Sequence, residues 1–177
     1  MQIKAQSIFD YETIKALTHA TLYKKKKPKT TFIALIVFSG VIALWSIIMM
    51  LLWGMDKQLI RMLFVSILMA LLDWYLYAGL AKVQYRALHH MQNVENEFTF
   101  YDEVMMVSSQ KDQYHGTAEL KYTMIPKVIE TSKHLIIFQN KNQAFIVDKS
   151  TITSGSMEDI RMKLVPLLKK KYLYYKY

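Results

Sequence analysis

"TFIALIVFSGVIALWSIIMMLLW", Thr31 to Trp53, runs for 23 residues without a charge. At ~1.5 Å of rise per residue, a helix of this length reaches roughly 34 Å, enough to cross a ~30 Å hydrocarbon layer. Thirteen of the residues are Leu, Ile, Phe or Val. Each favours insertion by about 0.3–0.6 kcal/mol near the bilayer centre, so the segment inserts unaided by roughly 4–8 kcal/mol. A core helix of a soluble protein seldom stays uncharged for so long. The segment therefore reads as a transmembrane helix, and both flanks must be placed relative to it.

Just downstream, "MLFVSILMALLDWYLYAGLA" (Met62 to Ala81) is a second apolar stretch, reached through the short connection "GMDKQ". The connection leaves room only for a tight helical hairpin. Nine Leu, Ile, Phe or Val residues contribute about 3–5 kcal/mol, and the central Asp73 costs about 2.5–3.5 kcal/mol on the same scale. This helix is near balance alone and is expected to insert as half of a hairpin, with helices over 31–53 and 59–81.

Counting antiparallel from a turn near Asp56 sets Asp73 across from Ser39 and Gly40, near the bilayer middle. Two readings of Asp73 stand: a structural carboxylate accepting a hydrogen bond from Ser39 or a neighbouring protomer, or a carboxylate in an ion or proton path. A path needs a polar lining, and the two helices add only Ser39, Ser46 and Ser66. The structural reading is therefore favoured. The spacings Ser39/Ala43 and Ser66/Ala70 also suit close helix packing and a homo-oligomer.

Basic residues set the orientation. Lys24, Lys25, Lys26, Lys27 and Lys29 precede the first helix and Lys82 and Arg86 follow the second, against Lys57 and Arg61 on the connecting side. Seven against two predicts a multi-pass protein of the cytoplasmic (inner) membrane with both termini in the cytoplasm. About thirty polar residues precede the first apolar run, so no signal peptide is expected. Lys24 to Lys29 and the tail Lys169, Lys170, Lys171 and Lys176 are expected to face an anionic leaflet, each near-surface charge contributing about 1 kcal/mol. Tyr172, Tyr174, Tyr175 and Tyr177 are expected beside them at headgroup depth. The net charge of +9 is thereby explained without nucleic acid, which would want basic and aromatic residues interleaved on a sheet.

Outside the hairpin the patterns are those of a soluble α+β part. "MQIKAQSIF" alternates as a half-buried strand, and Asp10 caps a helix over "YETIKALTHATLYKKKK" that Pro28 interrupts. A lone strand is unstable and needs a sheet elsewhere. After the second apolar helix, "ENEFTFY", "VMMVSS", "TAELKY", "KVIET", "HLIIFQ" and "AFIVDK" read as an antiparallel meander, with "QKDQYHG" as a polar loop. Ser156 caps a closing helix with Asp159 three residues on, and Pro166 predicts a kink or short break in it.

These features, two early membrane helices followed by "FTFYDEVMMVSS", "ELKYTMIPKVIET", "HLIIFQNKNQAFIVDKSTI" and an amphipathic helix, resemble the YcxB-like family of bacterial membrane proteins. The resemblance implies a C-terminal domain similar to a pleckstrin-homology-type barrel, split by the hairpin, with the first strand returning to the sheet. The expected fold is thus a membrane α part with a soluble α+β part. Its segments are a cytoplasmic strand and helix (1–30), the hairpin (31–81), and a PH-like antiparallel β barrel capped by a C-terminal helix (82–177). The family carries no catalytic residues to transfer.

The sequence offers no chemistry of its own. There is no cysteine, which removes disulfides, thiolate nucleophiles and Cys-based metal sites. His19, His89, His90, His115 and His134 lack metal-ligand spacing, so no metal or cofactor is expected. Asp102-Glu103 and Glu158-Asp159 suit a turn and a helix start. The expectation is a non-enzyme: a membrane-anchored scaffold or regulator presenting its domain to a protein partner or to lipid headgroups. The alternative is an immunity or transport-accessory protein associated with membrane-active peptides.

Overall fold

The computed structural model describes residues 2–24, 27–112, 114–141 and 143–176. Strand β1 (Ile3–Ile8) alternates buried and exposed residues, as its sequence does. Helix α1 (Tyr11–Leu22) starts at Asp10, whose side chain accepts the Thr13 N–H at 2.8 Å. Helix α2 (Pro28–Trp53) opens on Pro28, at a position where the missing N–H has no intrahelical partner to lose. Helix α3 (Lys57–Trp74) continues through a π-helical turn (Tyr75–Gly79) into α4 (Leu80–Ala87). The two apolar helices are thus longer than expected, 28–53 and 57–87, and both are long and apolar enough to cross a membrane.

Among the described residues nothing covers their outward faces: Leu51 is 80% exposed, Trp53 84%, Phe64 66% and Leu71 61%. The seam between α2 and α3 buries the small residues Ser39, Ser46 and Ser66 instead. Of the small residues behind the homo-oligomer expectation, Ser39 and Ser66 are buried here and Ala43 and Ala70 are half-buried.

The β region is an antiparallel arrangement closed by helix α5 (Met157–Leu168). Strands β2 (Glu95–Phe100), β3 (Val104–Lys111), β4 (Tyr114–Lys121) and β8 (Ile152–Ser154) join β1 in a five-stranded sheet of order β4-β3-β2-β1-β8. Strands β5 (Lys127–Glu130), β6 (His134–Phe138), β7 (Ala144–Asp148) and β9 (Tyr172–Tyr174) form a second sheet, β7-β6-β5-β9. The expected barrel is therefore corrected to two separate sheets. At the turn from β4 to β5 the ladder is broken by a single 3₁₀ turn, Tyr122–Met124, and by Pro126, which has no N–H to donate. At the other seam β1 and β7 pack together, and no ladder pairing joins them among the described residues.

Three further expectations change. The "QKDQYHG" loop is a tight hairpin in which Lys111 pairs with Tyr114. Asp112 takes a left-handed conformation there (φ 49), which Asp tolerates better than most residues. The meander also gains β9, which runs parallel to β5 with Val128 opposite Tyr172. Pro166 sits inside α5 without ending it, two residues before the helix stops.

The main core lies between the sheets and α5, built from Phe98, Phe100, Met105, Leu135, Ile137, Ile160 and Leu164 among others. A smaller cluster joins α1 to the outer face of the second sheet through Ala20, Ile129, Ile136 and Tyr175. β1 pairs with β2 from Ile3↔Phe100 to Ile8↔Glu95. The chain leaves the sheet after Ile8, runs out and back along the hairpin, and re-enters the same sheet at Glu95.

Candidate functional site

Helix α1 connects the two halves of the molecule, and the most unusual geometry is where it meets the hairpin. It lies against α4: Thr18 Oγ1 donates to Gln84 Oε1 at 2.7 Å, and the Tyr11 and Tyr85 rings meet edge-on at 6.1 Å. Above this contact the second helix widens into the π turn, where the Leu80 N–H reaches back five residues to the Tyr75 carbonyl. Gly79 permits this shape, because a Cβ there would sit 2.9 Å from Tyr75 Cδ2. The His19 Nε2–H donates to the Tyr77 carbonyl at 3.0 Å.

An aromatic stack grows from that bond. His19 lies over Tyr77 at 5.1 Å and 21°, and Tyr77 lies over Phe32 at 4.4 Å and 12°. Tyr23 stands edge-on to His19 and Tyr77, and its hydroxyl pKa is raised by burial and by the nearby Asp73 carboxyl.

Asp73 belongs to this junction. It shares a small cavity with Leu22, Tyr23, Phe32, Leu35 and Leu76. Counting from a pivot at Asp56 had set it opposite Ser39 and Gly40; it lies instead level with Phe32 and Leu35, one to two turns nearer the Pro28 end. The cause is the actual register, in which Phe32 meets Trp74 and Tyr77. The expected Ser39–Asp73 hydrogen bond is absent: Ser39 Oγ and Asp73 Oδ2 are both buried without a partner among the described residues. Ser46 and Ser66 are satisfied by the backbone carbonyls of Ile42 and Leu63.

The surface lysines separate into two groups. Lys24, Lys27 and Lys29 are exposed around the α1–α2 connection, while Lys25 and Lys26 lie outside the described residues. Lys169, Lys170 and Lys171 are exposed on a 3₁₀ turn after α5. The tail beyond them is drawn toward α1, since Tyr175 is buried in the same cluster as Ala20 and Leu17. The aromatic tail is not a free row at headgroup depth: Tyr175 is buried and Tyr172 half-buried, Tyr174 is exposed, and Tyr177 lies outside the described residues.

The charged centre of the β region escaped the sequence reading. Glu130, fully buried at the end of β5, accepts hydrogen bonds from Arg161, from Lys149 Nζ at 2.6 Å and from the Tyr172 hydroxyl at 2.5 Å. Burial pushes its carboxyl up, and the hydrogen bonds of Arg161, Lys149 and Tyr172 outweigh that, holding it at about 2. The available signal was one acidic residue closing the apolar strand "KVIE". All three partners are far from Glu130 in sequence, and the saturated carboxylate has no free face for a substrate. Among the described residues no group of three or more His, Asp or Glu side chains could hold a metal ion.

Residues 94–164, from β2 into α5, match the family model described as YcxB-like protein. That is the family the sequence resembles, and the match leaves α1 and the hairpin outside it. No curated protein and no solved structure matches the chain.

Proposed function

We propose that this chain, with its YcxB-like segment, is an integral protein of the cytoplasmic membrane. Its hairpin anchors a two-sheet domain that recruits a protein partner or lipid headgroups without catalysis. The observation that carries this reading is the pair of long helices whose apolar outer faces nothing covers among the described residues. Apolar faces of that extent mark lipid or a partner. The β1–β2 pairing supports a topology with both flanks at one end of the hairpin, and the excess of Lys and Arg at that end supports a cytoplasmic assignment. The exposed lysines at the α1–α2 connection and after α5 suit an anionic leaflet.

Because the chain has no cysteine, single-cysteine labelling tests the topology without background. In intact cells, Met55→Cys should react with an impermeant maleimide and Ser154→Cys only after lysis. Equal labelling of both, or a chain that disperses without detergent, would end the membrane reading. Photocrosslinking from exposed positions of β4, with the crosslinked species identified, tests recruitment: a discrete protein or lipid adduct supports it, and its absence counts against it.

A further inference from the structure

The cavity at the α1–hairpin junction does something that anchoring does not require. It has a volume of ≈130 Å³ and is walled by Leu22, Tyr23, Phe32, Leu35, Asp73 and Leu76. Holding a single water takes only about 10–15 Å³ on the same measure, so there is room for a small organic group. Asp73 is the acid in an otherwise apolar and aromatic wall, and its buried Oδ2 has no donor among the described residues.

The two aromatic walls are braced by neighbouring rings. Phe32 is stacked on Tyr77 and Tyr77 on His19, Trp74 leans over Phe32 at 6.3 Å, and Tyr23 is fixed edge-on to His19 and Tyr77. Beside them runs the π turn, a rare distortion that gathers at functional sites.

The chemistry selects the ligand class. An anion would meet the carboxylate. A neutral apolar group would leave the carboxylate that lines the cavity without a counter-charge, and a metal ion would have one carboxylate and no imidazole in the lining. A substituted ammonium suits this lining, with its charge on Asp73 and its methylenes or methyls against the leucine and aromatic side chains.

We propose that this cavity binds a substituted ammonium group, with Asp73 as counter-ion and Tyr23 and Phe32 as aromatic walls. The ammonium can come from the ethanolamine or choline headgroup of a phospholipid or from a free alkylamine. A lipid would find Lys27 and Lys29 exposed at the start of α2, where its phosphate would lie, with Phe32 one turn further in.

The lipid source rests on the membrane reading and the free amine does not, so two arms keep the failures apart. In the first, full-length protein in a nonionic detergent is titrated with ethanolamine hydrochloride or tetramethylammonium chloride, against potassium chloride at equal ionic strength. Wild type should show a saturable rise in its unfolding midpoint with an ammonium salt. Asp73→Asn should lose it, Asp73→Glu should retain it, and Phe32→Leu should weaken apparent affinity roughly 2- to 30-fold. In the second arm, native mass spectrometry follows protein from nanodiscs of phosphatidylglycerol alone or mixed with phosphatidylethanolamine or phosphatidylcholine. Zwitterionic lipid retained by wild type and lost in Asp73→Asn assigns the lipid source, and a saturable amine effect without retained lipid assigns the free amine. The proposal is overturned if wild type responds in neither arm, or if Asp73→Asn responds as wild type does. Should Asp73→Asn not fold, the wild-type titrations together with Phe32→Leu still decide.

Discussion

Arg161 Nε lies 3.2 and 3.0 Å from the two carboxylate oxygens of Glu130, a bond that ties α5 to the end of β5 across 31 residues of sequence. Lys149 and Tyr172 close on the same carboxylate, so the turn after β7 and strand β9 are held at this one point too. A buried ion network gains little over an apolar core of the same shape, but removing one partner strands the others' charges.

Arg161→Ala or Glu130→Ala should therefore cost about 3–5 kcal/mol of stability in the β region. Hydrogen exchange of the β5 and β9 amides in detergent-solubilised protein measures it. The parallel β5–β9 pairing should open first, and hairpin amides should keep wild-type protection. A loss under 1 kcal/mol would mean that the network is dispensable.

Acid should unfold the β region through the same group. Glu130 sits at about 2 in the folded chain against an ordinary 4.5. Its contribution is complete above pH 4.5 and lost as pH falls toward 2, about 3 kcal/mol in all. His134 acts in the same direction from a higher pH: burial lowers its pKa below 6.5, so stability present above 6.5 is lost as pH falls and the ring is forced to charge. A melting midpoint that falls between pH 6.5 and 3, with Glu130→Gln flattening the limb below 4.5, is the expected profile.

Gly155→Ala should destabilise by about 1–3 kcal/mol. Gly155 holds φ at +79, and a Cβ there would come within 2.9 Å of Cγ1 of Ile3, itself fully buried on β1. Both penalties fall on the seam where β8 joins β1, and a thermal melt of the variant reads them.

Neutralising Lys24, Lys25, Lys26, Lys27 and Lys29 to Gln should weaken the orientation preference of the hairpin. The count then falls from seven against two to two against two, which removes the bias that, in the proposed topology, retains one end in the cytoplasm. The label on Met55→Cys should become mixed between the two sides; an unchanged pattern would show that the folded β region alone fixes the topology.

The sequence by itself determined the parts whose signals are local. The uncharged run from Thr31 to Trp53, the cap at Asp10, the capping box at Ser156 and Asp159 and the alternation of β1 each depend on residues within a turn or two of each other, and each is found where it was read. Tertiary structure decided what depends on distant partners. Whether the strands close into a barrel turns on edge pairing between β1 and β7 and at Pro126. Residues 172–174 become β9 only because β5 offers them an edge. Glu130 acquires its role from Lys149, Arg161 and Tyr172, which no spacing links to it. The level of Asp73 against the first helix was misjudged for the same reason: a turn alone leaves helix register loose by a turn or more, and the stacking of Phe32 on Tyr77 set it.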